Sequence, residues 1–162
     1  MAMTVISWLI AIPLLGVCTG FRTMTPIALT CWYAWAGYLP VKDTWAGWIA
    51  SPISVGVFTV LAAGEYVGDK LPRTPARVDP FPLIARLGFG GLVGALVATG
   101  LSGSAFEGIV LGVIGAILGT FGGYLLRRAA VDRTGWPDWR VALIEDAITI
   151  TCSFFALGVI TG

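Results

Sequence analysis

The chain has 162 residues, of which 57% are hydrophobic and 12% charged, with a net charge of +1 and no histidine. Soluble domains carry about 25% charged residues, so these proportions point to a protein built for a bilayer. The near-zero charge excludes a nucleic-acid-binding face, and the missing imidazole excludes Ser-His catalysis, histidine-ligated metals and the usual switch near neutral pH.

Apolar runs of about 17 to 23 residues, separated by short polar breaks, suit helices crossing about 30 Å of hydrocarbon. The period-two alternation of a membrane β-barrel is absent. The sequence therefore predicts one all-α integral membrane domain over residues 1–162, a bundle of about six transmembrane helices. The first run has no basic leader and reads as a helix rather than a cleaved signal. Within residues 4–39 the stretch TGFRTMTP places Arg22 and Pro26 in a break, since a proline removes a helix donor. This region crosses either twice as short helices or once as a broken one. The next span covers about 49–70 and opens with Ser51 as N-cap and Pro52 in the first turn. Three more follow at about 82–101, 105–126 and 140–160. Six spans divide into three plus three, the arithmetic of an inverted repeat.

If residues 4–39 cross twice, nine of the ten Lys and Arg residues fall in loops on one side and Lys42 alone on the other. That asymmetry assigns the charged loops to the cytoplasm and both termini outside. Trp32, Tyr33, Trp35, Tyr38, Trp45 and Trp48 then form an outer aromatic belt. In the fifth span Gly108, Gly112, Gly115, Gly119 and Gly122 keep to one helical seam. Such seams bring backbones together in lipid, within the bundle or in a homodimer, with Gly90 and Gly94 as the facing residues. Cys18, Cys31 and Cys152 lack paired spacing and read as small buried apolar residues.

Charge gathers at one depth. Glu65 lies about 7 to 8 Å inside the end of its helix, with Asp69 one turn further out on the same face. Glu145 and Asp146 sit at similar depth on the last span, Arg22 in the first break, and Arg86 in the first turn of the fourth span. Intramembrane charge costs about 2.5–3.5 kcal/mol on insertion scales, so these groups are expected to face inward and pair. The expected pairs are Arg22 with Glu65 or Glu145, and Asp79 with Arg86 or Lys70. Freed helix ends beside Arg22 offer a place for an anion or polar headgroup. Lys70, Arg73, Arg77, Arg127 and Arg128 read instead as interfacial side chains reaching to water.

The motifs GFRTMTPIAL, EYVGDKLP with Asp79 and Arg86, and IEDAITI resemble the DUF4126 family of small prokaryotic membrane proteins. The resemblance covers nearly the whole chain and implies an inner-membrane helical protein of unknown activity. It makes Arg22, Glu65, Asp69, Lys70, Pro72, Asp79, Arg86, Glu145 and Asp146 motif positions without giving any of them a role. Phe21 replaces the pattern's leucine, and Leu87 stands where a proline commonly follows the arginine; neither change removes a charge.

The first functional reading is a small, dimeric transporter or channel-like protein of the bacterial inner membrane, for an ion or solute. Its binding site would draw on Arg22, Glu65, Asp69, Lys70, Asp79, Arg86, Glu145 and Asp146. The second is an enzyme acting on a lipid or isoprenoid phosphate, with Asp69, Asp79, Glu145 and Asp146 on Mg²⁺ and Arg73, Arg77 and Arg86 on phosphate. The third is an accessory subunit whose charges only set helix register. No cofactor is expected, and the bilayer is the first partner.

Overall fold

The computed structural model describes residues 5–69 and 78–162. Six helices follow one another: α1 (Val5–Phe21), α2 (Met24–Trp35), α3 (Pro52–Gly68), α4 (Pro80–Gly100), α5 (Ala105–Thr134) and α6 (Asp138–Thr161). A 3₁₀ turn at Gly47–Ala50 precedes α3, and there is no strand among the described residues. Three helices, α4, α5 and α6, are long and apolar enough to cross a membrane. Leu118, Phe121, Leu125, Phe154 and Phe155 on their outer faces are exposed, which suits lipid and not water. The chain is an α-helical membrane protein.

The break falls at Arg22 and Thr23, between α1 and α2. From there α2 runs back alongside α3 and α6. Trp32 Nε1 donates to Thr59 Oγ1 of α3 at 3.0 Å, and Tyr33 Oη donates to the Phe154 carbonyl of α6 at 3.2 Å. The first region therefore forms a helical hairpin, not a continuous broken rod. At 12 residues α2 is only about 18 Å long, and irregular chain carrying the buried Leu39 and Val41 continues its path. The helices thus share a charged end, near Arg22, and an aromatic end, where Trp32, Trp35, Tyr38, Trp45 and Trp48 are exposed.

Local signals set several boundaries. Ser51 Oγ accepts from Ile53 N at 3.2 Å and Pro52 opens α3, as the Ser-Pro pair predicts. Ser104 caps α5, and Gly135, at φ 65°, ends it in the left-handed conformation that glycine adopts without strain. The surprise is the length of α5, which continues to Thr134 and so carries Arg127 within the helix.

At the centre stands α1, packed against α4, α5 and α6. The contact is made by glycine. A Cβ on Gly94 would strike the Gly108 carbonyl, and one on Gly112 would strike that of Gly90. Further along, Gly115 and Gly119 lie against the Pro13 and Val17 carbonyls of α1, where Gly16 and Gly20 answer them. The α5 seam thus serves α4 with its first half and α1 with its second, leaving only Gly122 open. Four of the five seam glycines are thus packed against helices of the same chain. A three-plus-three repeat is not visible in the packing. It would match the 12-residue α2 with the 30-residue α5, and α5 lies along α1 and α4 in a way that α2 does not.

Candidate functional site: a buried ion cluster at the helix break

Breaking a helix frees donors at one new end and acceptors at the other. In this chain both ends are met by charges from neighbouring helices. Glu65 of α3 reaches the start of α2, where Oε1 accepts from Thr23 N and Oε2 from Met24 N, both at 2.8 Å. Arg86 of α4, itself buried, donates from Nε to the Gly20 carbonyl at the end of α1, at 3.1 Å. A carboxylate thus faces the positive end of one helix dipole and a guanidinium the negative end of the other. The anion place expected at the break is filled by the protein's own Glu65.

Arg22 itself is wholly buried. Its Nε donates to Asp146 Oδ1 of α6 at 2.5 Å, its Nη1 lies 2.7 Å from Asp69 Oδ2, and its Nη2 lies 4.0 Å from Glu145 Oε2. The Nη1 contact is an ion pair by distance, but the N–H is not directed at the oxygen, and neither Nη atom has a well-aligned hydrogen bond among the described residues. The guanidinium also sits 5.8 Å over the ring of Tyr66, whose hydroxyl meets Thr25 Oγ1 at 2.6 Å.

A second arginine completes the cluster. Arg127 of α5 pairs through Nη1 with the same Asp69 Oδ2 at 2.7 Å and approaches Glu145 Oε2 at 3.5 Å; its Nε and Nη2 hold Asp138 at 2.8 and 2.5 Å. Asp69, one residue past the end of α3, is shared by two guanidiniums. Burial alone would raise its carboxyl, but the Arg127 hydrogen bond and the Arg22 charge outweigh that and hold it below the ordinary carboxylate value.

The structure brings Arg22, Asp69, Glu145 and Asp146 together, as the sequence reading grouped them. Of the two partners expected for Arg22, Glu145 lies at ion-pair distance, 4.0 Å, with Asp146 and Asp69 closer, whereas Glu65 is not a partner because it is spent on the backbone of α2. Arg86 is a helix-end partner next to the cluster. Asp79 is exposed at the N-cap of α4, and no ion pair joins it to Arg86 among the described residues. Lys70, Pro72, Arg73 and Arg77 lie outside the described residues. Arg127 corrects the expectation of a side chain reaching to water, since its side chain is 15% exposed against 70% for Arg128. The sequence signal for it was the spacing: Arg127 and Asp138 flank the short turn between α5 and α6, eleven residues apart. No group of three carboxylates or thiols is placed to hold a metal among the described residues, so the Mg²⁺ ligand set proposed from sequence is not assembled there.

No curated protein and no solved structure matches this chain. The family model of DUF4126, a domain of unknown function, matches residues 9–159, and the chain belongs to that family.

Proposed function

We propose that the protein is a transporter or channel-like protein for a small ion or solute in the bacterial inner membrane. In this reading the charged end faces the cytoplasm and the Arg22 cluster is both its site and its latch. The observation that carries the reading is a fully buried arginine at a helix join, tied by ion pairs to α6 and also to the end of α3, a helix that otherwise packs little against α1. α3 packs against α2 and the 3₁₀ turn, yet Asp69 at its end joins α1 through Arg22 and α5 through Arg127. Contacts made by charge can be exchanged, whereas the glycine seams of α1, α4 and α5 cannot move without collision. The frame is thus rigid and the α3 and α6 ends are releasable. A proton or cation arriving at Asp69, Glu145 or Asp146 competes with Arg22 and Arg127 and loosens the closure. Orientation rests on the loop charges of the sequence, in which nine of ten Lys and Arg fall in loops expected on one side and Lys42 in a loop on the other.

The test is flux of protons and Na⁺ in proteoliposomes, comparing the unaltered protein with Asp69→Asn and Asp146→Asn. The expected result is flux above protein-free vesicles that both substitutions change. Equal flux in all three proteins would remove the proposal.

A further inference from the structure

At the aromatic end of the bundle, α2 stops in a turn that shapes a pocket. Gly37 takes the left-handed conformation, at φ 86°, and its N–H donates to the Ala34 carbonyl at 3.2 Å while that of Tyr38 donates to the Tyr33 carbonyl at 2.9 Å. This way of closing a helix folds the residue after the glycine back over the last turn. Tyr38 accordingly lies against Tyr33, with ring centroids 5.8 Å apart, and Phe154 of α6 meets the same Tyr33 ring at 5.6 Å. Inclined to Tyr33 by 54° and 72°, the two rings meet it as walls and not as a stack. Together with Trp32 they border an open pocket of about 380 Å³ between the ends of α2 and α6, a size that takes a small molecule. Trp32, Tyr38 and Phe154 are exposed, so the pocket can be reached from outside. Small residues leave the space: a Cβ on Gly158 would meet only Tyr33 Oη, at 3.7 Å.

The chemistry of the lining is one-sided. It contains no Lys, Arg, Asp or Glu. Trp32 Nε1 is spent on Thr59, Tyr33 Oη on the Phe154 carbonyl and Thr161 Oγ1 on the Leu157 carbonyl. An anion would therefore find few donors. A cation is attracted by aromatic ring faces and by the negative end of the α2 dipole, which points here. With no carboxylate to accept from it, a cation bearing N–H groups would leave them unpaired on entering, whereas a quaternary ammonium has none to satisfy. The walls are also fixed in advance. Trp32 and Tyr33 are held by their polar tips and Tyr38 by the turn at Gly37, which lowers the cost of ordering them on binding.

We propose that this pocket binds a small, soluble quaternary ammonium ion. It lies at the opposite end of the bundle from the Arg22 cluster, and the inference does not depend on the transport reading.

The test is calorimetric titration of the protein in nanodiscs whose lipids carry no choline, with choline and with its uncharged tert-butyl analogue, in which carbon replaces the nitrogen. Choline is expected to bind at least about tenfold tighter than the analogue. Equal affinities, or no binding of choline, would overturn the proposal. Phe154→Leu removes an exposed ring and should weaken choline binding at least about fivefold, with Phe154→Tyr restoring it; an unchanged affinity in Phe154→Leu counts against the aromatic site. Gly158→Leu fills the pocket without removing a ring and should abolish binding, so retained binding there places the ion elsewhere. Repeating the titration in phosphatidylcholine nanodiscs separates the sources of the group. Unchanged affinity supports a soluble ion, and lost affinity overturns it in favour of a lipid headgroup.

Discussion

Asp146→Asn perturbs the cluster where it is tightest. Its carboxylate takes the Arg22 Nε at 2.5 Å, and the arginine is wholly buried. Two unit charges about 4 Å apart attract by about 4 kcal/mol at an effective dielectric of 20, and removing one partner of a buried pair costs about 3–5 kcal/mol. Arg22 keeps Asp69 at 2.7 Å, and the asparagine oxygen still accepts from Nε, so the expected loss falls to about 2–3 kcal/mol. Arg22→Met removes the guanidinium that Asp69 and Asp146 hold and Glu145 approaches, and belongs at about 3–5 kcal/mol. The assay is denaturant unfolding in detergent micelles, with the double variant closing a cycle. The coupling between the two sites should be at least about 1 kcal/mol. A loss below about 0.5 kcal/mol for Asp146→Asn, or an additive cycle, would refute the claim that this pair closes the charged end.

Glu65→Ala should cost about 1–2 kcal/mol in the same assay, since it removes the acceptor for two donors at the start of α2, and Glu65→Gln should recover part of it. Gly112→Ala forces a methyl into the Gly90 carbonyl and is expected to abolish accumulation of folded protein, read by size-exclusion chromatography. Gly122→Ala, with open space around it, should accumulate normally and melt no lower than the unaltered protein. The Asp69 carboxyl is held below its ordinary value, so its contribution is complete above about pH 4, where the unfolded carboxyl is ionised, and fades as pH falls through the lower folded value. Melting curves from pH 6 downward should show the unaltered protein losing its advantage over Asp69→Asn only in that acid range.

Chemistry that depends on residue type and helical spacing was legible in the sequence. The five-glycine seam, its partners Gly90 and Gly94, the Ser-Pro start of α3 and the break at Arg22 all follow from local pattern. So did the gathering of Arg22, Asp69, Glu145 and Asp146 at one depth, because charge in an apolar chain has few places to go. Which pairs lie closest was not legible, since that depends on how helices rotate against each other. Glu65 and Arg86 looked like site residues but serve the two cut helix ends, a role visible only when α3 and α4 are set beside the break. Arg127 looked like an interfacial cation because the fifth span was expected to stop near residue 126; the extra two turns of α5 carry it to Asp69 and Asp138. Gly16 and Gly20 lay unremarked in a run of larger apolar residues.

The central claim is that the ion pairs around Arg22 hold the charged end closed and can release it. The most direct measurement is the distance between spin labels at Val67 on α3 and Arg128 on α5, both exposed, in a cysteine-free background reconstituted in lipid. The account predicts one short distance in the unaltered protein at neutral pH and a second, longer population in Asp146→Asn. A single distance unchanged by the substitution would contradict it.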